Sequence, residues 1–178
     1  MAWKQNIIED FKQLVSFDSI SFHERKTADW LLARLKSMGF SVEEDQAGAY
    51  YGGDTGNIFA VLDGELEGEL EGDPVIFCAH MDVVDPGSGK KSVLEKDGTI
   101  HSAGDTVLGA DDISGILEIL YGVQLVLDSG KPHKKIEILF TIGEELYVKG
   151  SDVFDYSKVT AKQAYVLDLS GAVGTAAR

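Results

Sequence analysis

Pro74-Val75-Ile76-Phe77-Cys78-Ala79, followed at once by His80-Met81-Asp82, decides the fold. An unbroken apolar run of this length is what a strand covered on both faces requires, as in the sheets of α/β proteins. The run ends abruptly in an imidazole and a carboxylate. In open α/β sheets the carboxyl ends of the strands are where ligands bind.

Outward from this strand, apolar stretches alternate in kind. Upstream, Phe40 to Glu44 and Asn57 to Leu62 read as strands. Downstream, Ile136 to Thr141 and Ala164 to Leu167 do the same. Between them, Ile113, Ile116, Leu117, Leu120, Val123 and Leu127 recur at helical spacing, predicting a helix over Asp112 to Asp128 that Gly130 and Pro132 terminate. Trp3, Ile7, Ile8, Phe11, Leu14 and Val15 predict a helix over Trp3 to Val15. Ser21-x-x-Glu24 has the spacing of a capping box, opening a helix that runs to about Met38 and stops at Gly39. Ser92 to Ser102 reads as a hairpin turning at Asp97-Gly98. A short helical turn is predicted over Asp152 to Tyr156. Strands alternating with helices define an α/β fold with a largely parallel sheet.

Charge narrows the partners. The 178 residues carry a formal net charge of −14, which argues against nucleic acid or an anionic membrane as a partner. No apolar run is long enough to span a bilayer, and the N-terminus lacks the pattern of a signal peptide. The lone Cys78 excludes an internal disulfide, so a cytoplasmic location is expected; inside a buried strand it reads as core packing. The acids of Gly64-Glu65-Leu66-Glu67 and Gly68-Glu69-Leu70-Glu71 read as a solvated loop.

The other acids gather at strand ends. His80 and Asp82 follow one strand, Glu144-Glu145 another, and Asp168 a third, while Asp111-Asp112 opens the long helix. Singly, each has an ordinary structural role: Asp111-Asp112 as a helix cap, Glu144-Glu145 as a solvated loop, Asp168 as a turn residue. Together they fall on one edge of the sheet. Close carboxylates cannot all ionise without a countercharge, and a divalent cation supplies it. Imidazole with carboxylates suits zinc, with manganese or cobalt as alternatives. In His80-x-Asp82 the carboxylate is placed to orient the ring. Adjacent Glu144 and Glu145 point apart, so one can bind metal while the other faces a water. His23, His101 and His133 have local structural readings. Phosphate-accepting signalling domains also gather aspartates, but with an early acid pair and a lysine after a late strand; no lysine follows Asp168.

In this order, His80-Met81-Asp82, Leu108-Gly109-Ala110-Asp111-Asp112, Thr141-Ile142-Gly143-Glu144-Glu145 and Val166-Leu167-Asp168 resemble the co-catalytic zinc exopeptidases related to peptidase T. The resemblance implies a three-layer α/β/α fold with a largely parallel mixed sheet, and two divalent metal ions, zinc or else manganese or cobalt. It implies that His80, Asp111 and Asp168 hold one metal and that Asp111 and Glu145 hold the second. Asp82 would orient His80, and Glu144 would be the general base. It also implies a cis peptide after Asp111. Aspartate at 168 favours an aminopeptidase acting on short peptides over a carboxypeptidase or acylamino-acid deacylase. A metal- or peptide-binding domain without catalysis is the alternative of another class. Relatives of this kind carry an inserted lid or dimerisation domain and a late histidine for the second metal. No histidine follows His133, so residues 1–178 are expected to form the N-terminal part of a catalytic domain, inactive alone, within a longer protein that can dimerise through the inserted domain.

Overall fold

Ile136-Glu137-Ile138-Leu139-Phe140-Thr141 (β6) lies at the centre of a five-stranded sheet in the computed structural model, which describes residues 2–65, 72–172 and 175–176. On one side β6 pairs in parallel with β3 (Val75–His80), and β3 pairs in parallel with β7 (Gln163–Val166). On the other, β6 pairs antiparallel with β2 (Ile58–Leu62), which pairs antiparallel with β1 (Ser41–Glu44). β1, β6, β3 and β7 therefore run the same way and β2 opposes them. The expected mixed sheet with a parallel majority is present.

Alternation along the strands sorts their side chains onto two faces. Ile58, Ala60, Ala79, Ile138 and Phe140 enter the main core with α1 (Ala2–Val15), α2 (Arg25–Ser37) and α4 (Ala110–Asp128). Leu14, Leu31, Leu35, Ile116 and Leu120 fill it from the helices, all fully buried. Phe59, Ile76 and Leu139 point the other way and meet Phe154, just past the short helix α5 (Lys149–Val153). This second face has a thinner cover. Along it runs a groove of about 440 Å³ lined in part by Ile76, Cys78, Leu139, Val159 and Val166. Cys78 is accordingly half-buried in the second cluster, not enclosed on both sides as the apolar run predicts. Burial is still enough to push its thiol up to about 11.

The helices depart from expectation mainly at their starts. Ser21 and Glu24 do not form a capping box: Glu24 is the N-cap of α2 but makes no side-chain cap bond there. Both side chains are drawn away by partners distant in sequence, as described below. In α4 the backbone is non-helical at Asp111 and Asp112, so the regular helix begins at Ile113, and the Asp111–Asp112 peptide is cis. Gly130, at φ +62°, follows the helix end as its stop signal requires. α3 (Ala47–Tyr51) was not predicted; the Asp45 carboxylate starts it by accepting the Ala47 amide at 2.8 Å. The turn expected over Asp152 to Tyr156 is split into α5 and a 3₁₀ turn at Tyr156–Lys158, with extended Phe154 between them. β4 (Ser92–Leu94) and β5 (Ile100–Ser102) form the predicted hairpin, with Gly98 at φ +94°. Most of the acidic doublet lies outside the described residues. Among the described residues no helix is long and apolar enough to cross a membrane.

Ile138 is fully buried at the centre of β6, whereas Val166 on edge strand β7 is 63% exposed. Ile138→Ala is expected to lower unfolding stability by about 2–5 kcal/mol. Val166→Ala is expected to stay within about 0.5 kcal/mol of the parent, both read by urea unfolding.

Candidate metal centre

Strand register assembles the site. His80, the last residue of β3, pairs with Thr141 at the end of β6, so Glu144 lies three residues past the point level with His80. Cys78 pairs with Val166 of β7, and the Leu167 amide extends the ladder to the Cys78 carbonyl at 2.9 Å. Asp168 thereby emerges abreast of His80. Asp111 arrives from the start of α4. Ligand atoms of His80, Asp111 and Asp168 all lie within 4.8 Å of one another. His80 Nε2 is 3.1 Å from Asp111 Oδ1 and 3.8 Å from Glu144 Oε2. Of the residues singled out from sequence, Glu144 and Glu145 stand outside the close trio, on the 3₁₀ turn Glu144–Leu146.

The imidazole is fixed by its other nitrogen. His80 Nδ1 lies 2.9 Å from the Asp82 carbonyl oxygen. A carbonyl can only accept, so Nδ1 carries the hydrogen and Nε2 is the nitrogen left for a cation. The Asp82 carboxylate, to which the sequence assigned the orienting role, also faces Nδ1, at the longer distance of 3.4 Å.

That carboxylate is occupied elsewhere. It is fully buried, and it accepts from Ser21 Oγ at 2.6 Å, the Glu144 amide at 2.9 Å and the Glu145 amide at 3.2 Å. A 3₁₀ turn leaves its first amides without partners inside the turn, and Asp82 supplies them. The Gly143 amide donates to Glu24 Oε1 at 3.0 Å. Asp112 is also structural: buried, it accepts the His80 backbone amide at 3.2 Å. Spacing alone signals none of these long-range anchors. The SxxE pair was visible, but its meaning was not.

The ionisation pattern fits a divalent cation. Burial pushes Asp112 up to about 7, with Asp168 and Asp111 adding to the effect against His80. Burial, and then neighbouring carboxylates, also raise Glu144 and Glu145, again against His80. Burial alone would lower His80, but Asp82, Asp112 and Glu144 outweigh it and leave its pKa at about 10. Burial would raise Asp82, yet the adjoining His80 ring, the Ser21 hydroxyl and the Glu144 amide hold it below the usual carboxylate range. An imidazole so surrounded by acids favours positive charge at Nε2, which a metal supplies in place of a proton. The donor set of one imidazole and two carboxylates fits zinc. The other histidines stand apart: exposed His101 pairs with Glu95 at 2.8 Å, and His133 Nδ1 bonds the Lys134 carbonyl.

The chain belongs to peptidase family M28, whose model matches residues 57–176. It is 33% identical to the uncharacterized protein YqjE of Bacillus subtilis over 98% of its own length and 46% of that protein's. Among solved structures it is similar to aminopeptidase PepT from Bacillus cereus, with a TM-score of 0.89 and 35% identity, covering 96% of this chain and 44% of the other. A tripeptidase from Staphylococcus aureus gives a TM-score of 0.87 at 28% identity, covering 94% and 44% respectively. The chain spans less than half the length of each of these relatives. The peptidase T resemblance and the three-layer fold it implied are borne out.

Glu24 generates a pH prediction. It is fully buried, and burial pushes its carboxyl up from 4.5 to about 7. The folded state therefore holds a proton that the unfolded state releases between these values. Stability contributed by this group is complete below pH 4.5 and falls as pH rises through about 7. Glu24→Gln is expected to flatten that decline by about 3 kcal/mol at most, seen as a stability difference from the parent that grows between pH 4.5 and 8 in urea titrations.

Proposed function

We propose that the protein carrying this chain is a two-metal aminopeptidase that removes N-terminal residues from short peptides. The observation that carries the reading is the convergence of His80, Asp111 and Asp168 within 4.8 Å, with Glu144 Oε2 3.8 Å from His80 Nε2. The relatives named aminopeptidase and tripeptidase support the substrate class.

In this reading His80 Nε2, Asp111 and Asp168 would hold one cation, and Asp111 with Glu145 would begin the second site. The cations, zinc or else manganese or cobalt, supply Lewis acidity to water and to the scissile carbonyl. Glu144 takes the proton of the attacking water and passes it to the leaving amine. Its raised pKa, caused first by burial, suits a group that must both accept and return a proton. Asp82 holds His80 on one side and the acid turn on the other. Residues 1–178 would be the N-terminal part of the catalytic domain. The second metal's remaining ligand, the peptide-binding lid and any dimer contact would come from polypeptide beyond them. A cytoplasmic location belongs to the same reading.

Two measurements test it. Calorimetry on residues 1–178 is expected to find one tight zinc site, abolished in His80→Ala; two tight sites would contradict the ligand count. The whole protein loaded with zinc, manganese or cobalt is expected to hydrolyse di- and tripeptides. Glu144→Ala should lower kcat by about 100- to 10,000-fold with metal content kept. Turnover that survives this substitution would remove Glu144 from the role of base.

A further inference from the structure

The acid turn is held from outside its own backbone. Its successive amides, from Gly143, Glu144 and Glu145, all donate to carboxylates far away in sequence. Two reach Asp82 and one reaches Glu24. The segment that supplies Glu24 also supplies Ser21, whose hydroxyl shares Asp82 Oδ2 with the Glu145 amide. Between them, Phe22 sits at φ +72° and stacks on Tyr51 with ring centroids 5.2 Å apart. Its ring fills the space beside Gly143, where a Cβ would come within 2.6 Å of Phe22 Cε1. Ser21 to Glu24 thus forms a cradle beneath the turn.

Glu24 is an expensive way to build a cradle if packing were its purpose. It is fully buried, and Oε2 has no hydrogen-bond partner among the described residues. A buried polar atom without a partner is costly, and an apolar side chain would fill the same space. Oε1 accepts both the Phe22 amide at 2.9 Å and the Gly143 amide at 3.0 Å, tying the cradle to the turn.

We propose that Ser21 and Glu24 are positioning residues for Glu144 and Glu145, Ser21 acting through Asp82 and Glu24 through the Gly143 amide. Their effect on turnover presupposes the peptidase reading, in which Glu144 meets the attacking water. Small displacements of a base from its working geometry lower turnover more than binding.

The test combines amide hydrogen exchange with steady-state kinetics on the whole metal-loaded protein and its S21A, E24A and E24Q variants, using a tripeptide substrate. Exchange at Gly143 in E24A, and at Glu144 and Glu145 in S21A, is expected to rise by about tenfold or more, while Ile138 and Leu139 in β6 stay protected. The same two variants should lose about 10- to 100-fold in kcat, with KM changed by no more than about threefold. E24Q keeps an acceptor oxygen and should restore both exchange and kcat. Should E24A fail to fold, S21A carries the same test. Unchanged local exchange in folded S21A and E24A would overturn the proposal. So would a raised exchange that leaves kcat intact, or a loss that merely follows global stability and is not restored by E24Q. If the parent hydrolyses no peptide, the aminopeptidase reading fails, and the exchange arm still decides whether the cradle holds the turn.

Discussion

The Asp82 carboxylate is the point on which the rest of the site depends. It is fully buried, yet it is held ionised by donors from two distant parts of the chain. Ser21 reaches it from the loop before α2, and the Glu144 and Glu145 amides from the turn after β6. The backbone carbonyl of the same residue fixes the His80 ring. One residue thus sets both the imidazole at the end of β3 and the two glutamates beyond β6. Its cost in burial is offset only while all these donors are present, so the segments it joins must fold together.

Parallel pairing explains why the acids meet at all. β6, β3 and β7 point the same way, so their carboxyl ends share one edge of the sheet. That edge concentrates negative charge around one imidazole, and buried Asp112 adds to it from behind while tying down the His80 amide. Such a cluster is poorly stable as bare carboxylates. A cation at its centre would resolve the conflict and would link metal binding to the rigidity of this edge. The opposite face of the sheet shows another unmet demand: β7 is exposed along its length beside an apolar groove.

Much of this was legible in the sequence where the cause was local. The run from Val75 to Ala79, the helical spacing from Ile113 to Leu127, and the Asp97-Gly98 turn each name their own structure. The strand-end positions of His80, Asp111 and Asp168 foretold their meeting. What the sequence hid was long-range. Ser21 and Glu24 have the spacing of a helix cap, but their partners lie 61 and 119 residues away. The orienting oxygen for His80 belongs to a backbone carbonyl, which no residue type advertises. Cys78 looked enclosed because an apolar run reports a preference for burial, not whether a layer is there to provide it. α3 escaped notice because five residues carry too little periodicity to read.

The central claim is that this edge of the sheet is a cation site whose first ligand is His80 Nε2. Nitrogen-15 NMR of the imidazoles during a zinc titration tests it most directly. The account predicts that the His80 Nε2 resonance moves to its metal-bound position at the first equivalent of zinc, while Nδ1 keeps its proton and its bond to the Asp82 carbonyl. A His80 imidazole that zinc leaves unchanged, or that binds through Nδ1, would contradict it.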